Sequence, residues 1–296
     1  MATVRRWIIW LKMIFGKSDL HVNQPIGSFF ETNVIKGYYN DFSQKVLKDK
    51  KHKEDPSFIP QFITDKGEKV FFPIQIAQYG LGCYELYLKT NENIYKTKML
   101  TCVDFLARKF DENGGIPCMF FVDGLTNAFS AMCQGECISL FLRAYLETTK
   151  EEYLQLSHKA FAFLINQKNH LLDKNYDFYE YSGKPLVLNG FIFSLFGVFD
   201  YYLATNNEKA KSVFNQSVLS LEQKMPCFEC DGWSFYDLGG SIASPFYHKL
   251  HIELLKALSA ISNKLLFNEF AKRWSESLLN RKKRRAMFWK KVKQKI

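Results

Sequence analysis

Residues Asn189–Leu203 read NGFIFSLFGVFDYYL, and this stretch decides the fold. After one polar residue it is almost wholly apolar, the pattern of a helix buried on every side. Three other stretches resemble it: QYGLGCYELYL (Gln78–Leu88), QGECISLFLRAYL (Gln134–Leu146) and HKLHIELLKAL (His248–Leu258). Their polar starts, Gln78, Gln134, Asn189 and His248, are 56, 55 and 59 residues apart. More charged segments lie between them, with apolar residues at three- and four-residue spacing, as in amphipathic helices. Eight helices are predicted, starting near Pro73, Lys96, Met132, Glu151, Asn189, Asn207, Tyr247 and Phe267. Thr148-Thr149-Lys150 precedes Glu151 as a capped start, and Asn206-Asn207 breaks the pattern between the fifth and sixth helices.

Regular alternation with a period near 57 residues points to a repeat. The expected fold is mainly α: an α/α toroid of about four helix pairs, with apolar helices inside and amphipathic ones outside. An irregular bundle is the plainer alternative. In a toroid the polar helix starts ring one mouth of the central cavity. Two aromatic-rich segments, Tyr176–Tyr181 (YDFYEY) and Trp233–Leu238 (WSFYDL), predict short hairpins there.

Working outward, residues 16–65 are irregular, and Lys48–Pro60 reads as an exposed connector. The expected division is an amphipathic segment and irregular arm over 1–65, a toroid over 66–280 and a basic tail over 281–296. The net charge is +10 in 296 residues. Nine basic residues and no acid lie in the tail, so the rest carries about +1. A nearly neutral body argues against a nucleic-acid groove. The N-terminal VRRWIIWLKMIF is broken by Lys12 and is shorter than the ~20 residues of a membrane span. It suits either an interfacial helix or one docked on the body. With Met287, Phe288 and Trp289 among the tail's basic residues, an anionic membrane surface is one expected partner. Capture of a polyanionic chain and a solvated tail are the other readings. The seven cysteines, in the absence of a secretory signal, favour reduced thiols and a cytoplasmic setting with peripheral membrane association. Cys227-Phe-Glu-Cys230 has metal-knuckle spacing, but no second pair follows, so structural thiols are expected and no metal.

P-loop, GxGxxG, GxSxG and HExxH motifs are missing. Instead Tyr79, Tyr84, Tyr179, Tyr181, Tyr236 and Tyr247 cluster where the toroid places its mouth, among Glu180, Asp237, His248 and His251. Phenols, carboxylates and imidazoles suit proton transfer, which needs no cofactor. For any one tyrosine the competing role is packing.

Six blocks in order carry a resemblance. They are FPIQIAQYGL (Phe72–Leu81), DENGGIP (Asp111–Pro117), SAMCQGECISLFLRAYLET (Ser130–Thr148), LNGFIFSLFGVFD (Leu188–Asp200), FYDL (Phe235–Leu238) and YHKLHI (Tyr247–Ile252). The chain resembles the D-glucuronyl C5-epimerases, which convert D-glucuronate to L-iduronate within heparosan-type glycans. The resemblance implies an α/α-toroid catalytic part and proton abstraction at C5 with return to the other face. It places the family's catalytic residues on Glu180, Tyr181, Tyr236 and Tyr247. Tyrosines are expected as the acid/base pair, with Glu180 stabilising charge or sharing protons. Gln78, Tyr79, Tyr84, Gln134, Arg143, Tyr179, Asn189, His248, Lys249 and His251 are the expected substrate-binding residues. Animal members carry an arginine after YDL and another before YH; here Gly239 and Ser244-Pro245-Phe246 stand there. Lys249 or Arg143 is the expected substitute. The animal members' β-rich insertion has no room between Leu88 and Lys96. The implied partner is an anionic uronate-containing polysaccharide, without nucleic acid; a homodimer stays open. A uronate lyase sharing the enolate chemistry and a non-catalytic glycan-binding protein are the competing functions.

Overall fold

The computed structural model describes residues 21–64, 67–118 and 129–294. The amphipathic segment expected at the N-terminus lies outside them. The architecture is an α/α toroid. Its inner helices are α2 (Pro73–Thr90), α4 (Ala131–Thr148), α6 (Leu188–Thr205) and α8 (Pro245–Ser262), each of 18 residues. Their first residues are 58, 57 and 57 apart, which is the repeat expected from the sequence. The outer helices α3 (Asn93–Ala107), α5 (Glu151–Ile165), α7 (Glu208–Lys224) and α9 (Leu265–Leu279) each pack on the inner helix before them.

The four hairpin turns share one design. Every inner helix ends on a residue in the left-handed region: Asn91, Thr149, Asn206 and Asn263, with φ of 59°, 57°, 51° and 55°. Two residues later the outer helix begins. Asparagine tolerates this conformation and stops the helix cleanly. Threonine is β-branched and tolerates it poorly, so Thr149 is the strained copy of the turn.

Neighbouring inner helices pack side by side, α2 on α4, α4 on α6 and α6 on α8. The α4–α6 approach is the closest in chemical terms. A Cβ at Gly197 would lie 2.4 Å from the Gly135 backbone, and one at Gly135 would lie 2.6 Å from the Phe193 carbonyl oxygen. No larger residue fits at either position without separating the helices.

The irregular arm is part of this core. It contains the five-residue helix α1 (Ser43–Leu47), which packs on α2. Tyr38, Tyr39 and Phe42 are at most 2% exposed. Tyr38 stacks on Phe193 and Tyr39 on Phe196, at ring distances of 6.5 and 4.0 Å. Phe30, Ile35, Tyr38, Tyr39, Phe42 and Val46 of the arm therefore share one hydrophobic core with the helical body. Burying these rings stabilises the fold by about 1.5–3 kcal/mol each.

Two short hairpins complete the described chain: β1 (Phe62–Ile63) with β2 (Lys69–Val70), and β3 (Glu229–Cys230) with β4 (Trp233–Ser234). The basic tail is mostly a further helix, α10 (Arg281–Lys293), capped by the Asn280 side chain. Met287 docks it against Trp233 and Ile242, while Arg281, Lys282, Arg284 and Arg285 face solvent. Gln294 accepts from the Ile242 amide at 2.9 Å and donates to the Gly240 carbonyl at 2.8 Å. The tail thus braces the loop that follows β4. No described helix is long and apolar enough to cross a membrane.

Candidate active site

The mouth is built from the first turns of the inner helices and the segments stitched to them. Tyr181 pairs with Ser130, and the Ala131 amide donates to the Glu180 carbonyl at 3.2 Å. This fixes Glu180 and Tyr181 beside the start of α4. Likewise the Leu188 amide donates to the Tyr236 carbonyl at 3.1 Å, and the Tyr236 amide to the Ser241 carbonyl at 2.6 Å. That places Tyr236 beside the start of α6. Tyr247 stands in the first turn of α8, whose start is capped by the Ser244 hydroxyl.

These elements enclose a cavity of about 330 Å³, within the usual range for small-ligand sites. Glu180, Tyr181, Tyr236, Tyr247, Gln78 and Asn189 all line it. Tyr236 and Tyr247 meet edge to face at 4.8 Å. Glu180 is buried, and its Oε2 has no hydrogen-bond partner among the described residues; the same holds for Asn189 Oδ1. Gly190 makes room for the carboxyl: a Cβ there would sit 2.8 Å from Glu180 Cβ and 2.9 Å from Oε2. Burial pushes the Glu180 carboxyl up to about 7. Burial, then the Glu180 charge, holds the Tyr181, Tyr236 and Tyr247 phenols well above the ordinary tyrosine value. Near neutral pH the site therefore presents neutral phenols around a carboxyl that gains and loses its proton.

The arm supplies what the sequence reading missed. His21, Gln24 and Lys45 line the cavity, and so do Gln75 and Phe193 from the inner helices. Tyr247 Oη lies 3.4 Å from His21 Nε2. Burial, with a contribution from Lys45, pulls His21 down to about 4, so it is neutral at pH 7. Lys45 is pulled down to about 8 by burial, against the raising effect of Glu136 and with a lesser lowering by Lys48. Glu136 lies on α4, where it accepts from Gln78 Nε2 at 2.8 Å, and burial pushes its carboxyl well up. Gln75 carried a signal: it stands three residues before Gln78, on the same helix face. Lys45 and His21 carried none.

Other expected site residues are elsewhere. Arg143 is 2% exposed at the far end of the toroid, with Nη1 on Asp200 Oδ2 at 2.6 Å and Nε on the Gly37 carbonyl at 2.6 Å. It holds the arm, not a substrate carboxylate. Lys249 points to solvent on α8. Tyr84 reaches only Glu147, at 3.4 Å. Gln134 donates to the Gly114 carbonyl at 3.0 Å, tying the DENGGIP loop to α4. Tyr179 faces a separate groove with His170 and Asp173. His248 stacks on Trp233 at 3.7 Å and bonds Ser234 and the Trp274 carbonyl. His251 bonds the same Ser234 hydroxyl at 2.8 Å. Burial pushes both imidazoles down, so they are neutral packing groups. Tyr79 lines a cavity next to the site. All seven cysteines are free thiols, Cys230 on β3 and Cys227 just before it, and no metal-binding cluster occurs among the described residues.

The α/α toroid with its inner-helix starts and hairpins at one mouth is a fold that other solved structures share. The unsaturated glucuronyl hydrolase of Bacillus sp. GL1, described as responsible for glycosaminoglycan degradation, shares it at a TM-score of 0.53 and 14% identity, over 79% of this chain and 66% of that one. The family model "D-glucuronyl C5-epimerase C-terminus" matches residues 123–276, just over half of the chain. The chain belongs to that family. The D-glucuronyl C5-epimerase of Caenorhabditis elegans is 30% identical over 171 residues, covering 49% of this chain and 28% of the nematode protein. An uncharacterised protein of Methanocaldococcus jannaschii is 29% identical over 157 residues, covering 49% of this chain and 51% of its own. The match thus spans between a quarter and about half of the length of these relatives.

Proposed function

We propose that the protein is a polysaccharide uronyl C5-epimerase that interconverts D-glucuronate and L-iduronate in a heparosan-like glycan. The observation that carries this reading is the buried Glu180 carboxyl, whose Oε2 has no hydrogen-bond partner among the described residues, in the wall of a cavity that three tyrosines also line. The carboxylate form of Glu180 takes the C5 proton. The C5–H electron pair moves into the C6 carboxylate, giving an enediolate. A neutral phenol delivers a proton to the opposite face of C5, and the electron pair returns to C5. The phenolate then recovers its proton from Glu180, so no atom or electron is gained or lost. Raised phenol values favour the tyrosines as donors, and a value near 7 favours Glu180 as the base. Lys45 faces the developing charge on the C6 carboxylate, where a preorganised cation contributes most. The four inner-helix N-termini around the mouth add partial positive charge.

The test is incubation with heparosan and other uronate polymers in D2O, followed by NMR. Deuterium at C5 together with iduronate signals is the expected result. No exchange with any of these polymers overturns the reading. Accumulation of an unsaturated uronate also overturns it, in favour of elimination.

A further inference from the structure

A second cavity of about 240 Å³ adjoins the first. The two share Lys45 and Gln75 as wall residues, so these side chains separate two compartments of one groove. The outer compartment has the chemistry of a sugar site. Phe58 and Tyr79 meet edge to face at 5.9 Å and offer apolar ring surface. Tyr79 Oη and Gln75 Oε1 are buried without hydrogen-bond partners among the described residues, a hydroxyl and an acceptor suited to sugar hydroxyls. Lys48 adds a second cation beside Lys45. Asp49 also lines the compartment, but its carboxylate is held by the His52 ring at 2.9 Å and the His52 amide at 3.3 Å. Phe58 stacks on that ring at 3.8 Å, which sets its orientation. All these residues lie outside the family-matched stretch 123–276, and Lys45, Lys48 and Phe58 come from the arm and connector.

We propose that this compartment is a second sugar subsite, taking the pyranose next to the reacting uronate in the same anionic chain, with Phe58 and Tyr79 against its ring and Lys45 between the two sugars. The inference rests on the epimerase reading for the identity of the reacting unit. Lys45 stands at the junction, where one cation meets both the carboxylate of the reacting uronate and the hydroxyls of its neighbour. Lys48 donates to the hydroxyls of the outer unit.

Ligand-observed NMR on the full chain at pH 7 tests this, with uronate-bearing fragments of one and two sugars. The pair is expected to bind at least tenfold more tightly than the single uronate; a single sugar too weak to detect beside a detectable pair counts as that gain. Phe58→Ala and Lys48→Gln each remove most of the gain and leave single-sugar binding within twofold. Lys48 is exposed, so its variant folds even where Phe58→Ala does not. An equal affinity for both fragments, or a gain that survives Lys48→Gln and a folded Phe58→Ala, overturns the subsite. C5 exchange is read separately. The expected length dependence without exchange keeps the subsite and removes the epimerase reading, and exchange without length dependence does the reverse.

Discussion

Two buried polar groups of residues sit at opposite ends of the same two helices. Far from the mouth, Arg143 on α4 and Asp200 on α6 form an ion pair at 2.6 Å. Tyr39 Oη donates to the second Asp200 oxygen at 2.8 Å, and Arg143 also serves the Gly37 and Ser139 carbonyls. At the mouth, Glu136 on α4 and Asn189 on α6 stand near Glu180, and each of the three keeps an acceptor without a partner among the described residues. Burial is alike at both ends, but the charged groups of the far end are fully paired and the carboxyls of the mouth are not. A buried charge with every oxygen paired holds structure together, whereas a buried carboxyl with an unpaired oxygen beside a cavity is the pattern expected where a ligand supplies the missing partner. The sequence shows both as polar residues on apolar helices.

The comparison breaks first at Glu180. Glu180→Gln should lower kcat for C5 exchange by about 10²–10⁴-fold, the usual contribution of a general base. The same change should stabilise the fold above pH 7. The carboxyl's folded pKa near 7 lies above its ordinary 4.5. The folded state therefore holds a proton that the unfolded chain releases, and stability falls as pH rises from 4.5 through 7. Removing the charge restores up to about 3 kcal/mol at pH 8, seen as a higher urea midpoint. A variant that loses activity and stability together would place Glu180 among the structural groups.

Asp200→Ala probes the other end. It strands the Arg143 guanidinium in the core and frees the arm, at an expected cost of about 3–5 kcal/mol in urea unfolding. A loss below about 1 kcal/mol would mean that the pair does not hold the arm.

A smaller effect comes from Lys45. The kcat/KM profile should rise through about 7 as Glu180 ionises and fall through about 8 as Lys45 loses its charge. Lys45→Gln should lower kcat/KM by about 10–100-fold and abolish the falling limb, on the scale of one charge-assisted bond. A falling limb that survives the change would point to another cation.

The smallest effect concerns the repeat. Thr149→Asn should raise stability by up to about 1 kcal/mol, because it gives the strained turn the residue its three counterparts already use. No change in thermal midpoint would show that the β-branch is accommodated at φ 57°.

Much of the fold was legible in the sequence because inner helices buried all round and outer helices buried on one side differ in composition. The periodic apolar runs located all eight helices, with α3 starting three residues earlier than the pattern suggested. Glu180, Tyr181, Tyr236, Tyr247, Gln78 and Asn189 were legible as mouth residues through the motif blocks and the helix starts. Arg143, Gln134, His248 and His251 were placed at the site for a related reason: a polar residue on an inner helix looks the same whether it meets a ligand or a core partner. Their partners, Asp200, Gly114 and Ser234, are 57, 20, 14 and 17 residues away, so spacing on one helix could not reveal them.

Local patterning alone established the repeat and the turns at Thr149 and Asn206, since each depends on neighbours within one helix or one short block. The arm had to wait for the folded molecule. Residues 22–47 have no period and one five-residue helix, too short to signal itself. Their rings find Phe193 and Phe196 more than 150 residues later. That long-range packing brings Lys45 and His21 to the mouth and turns an apparent spacer into one wall of the site.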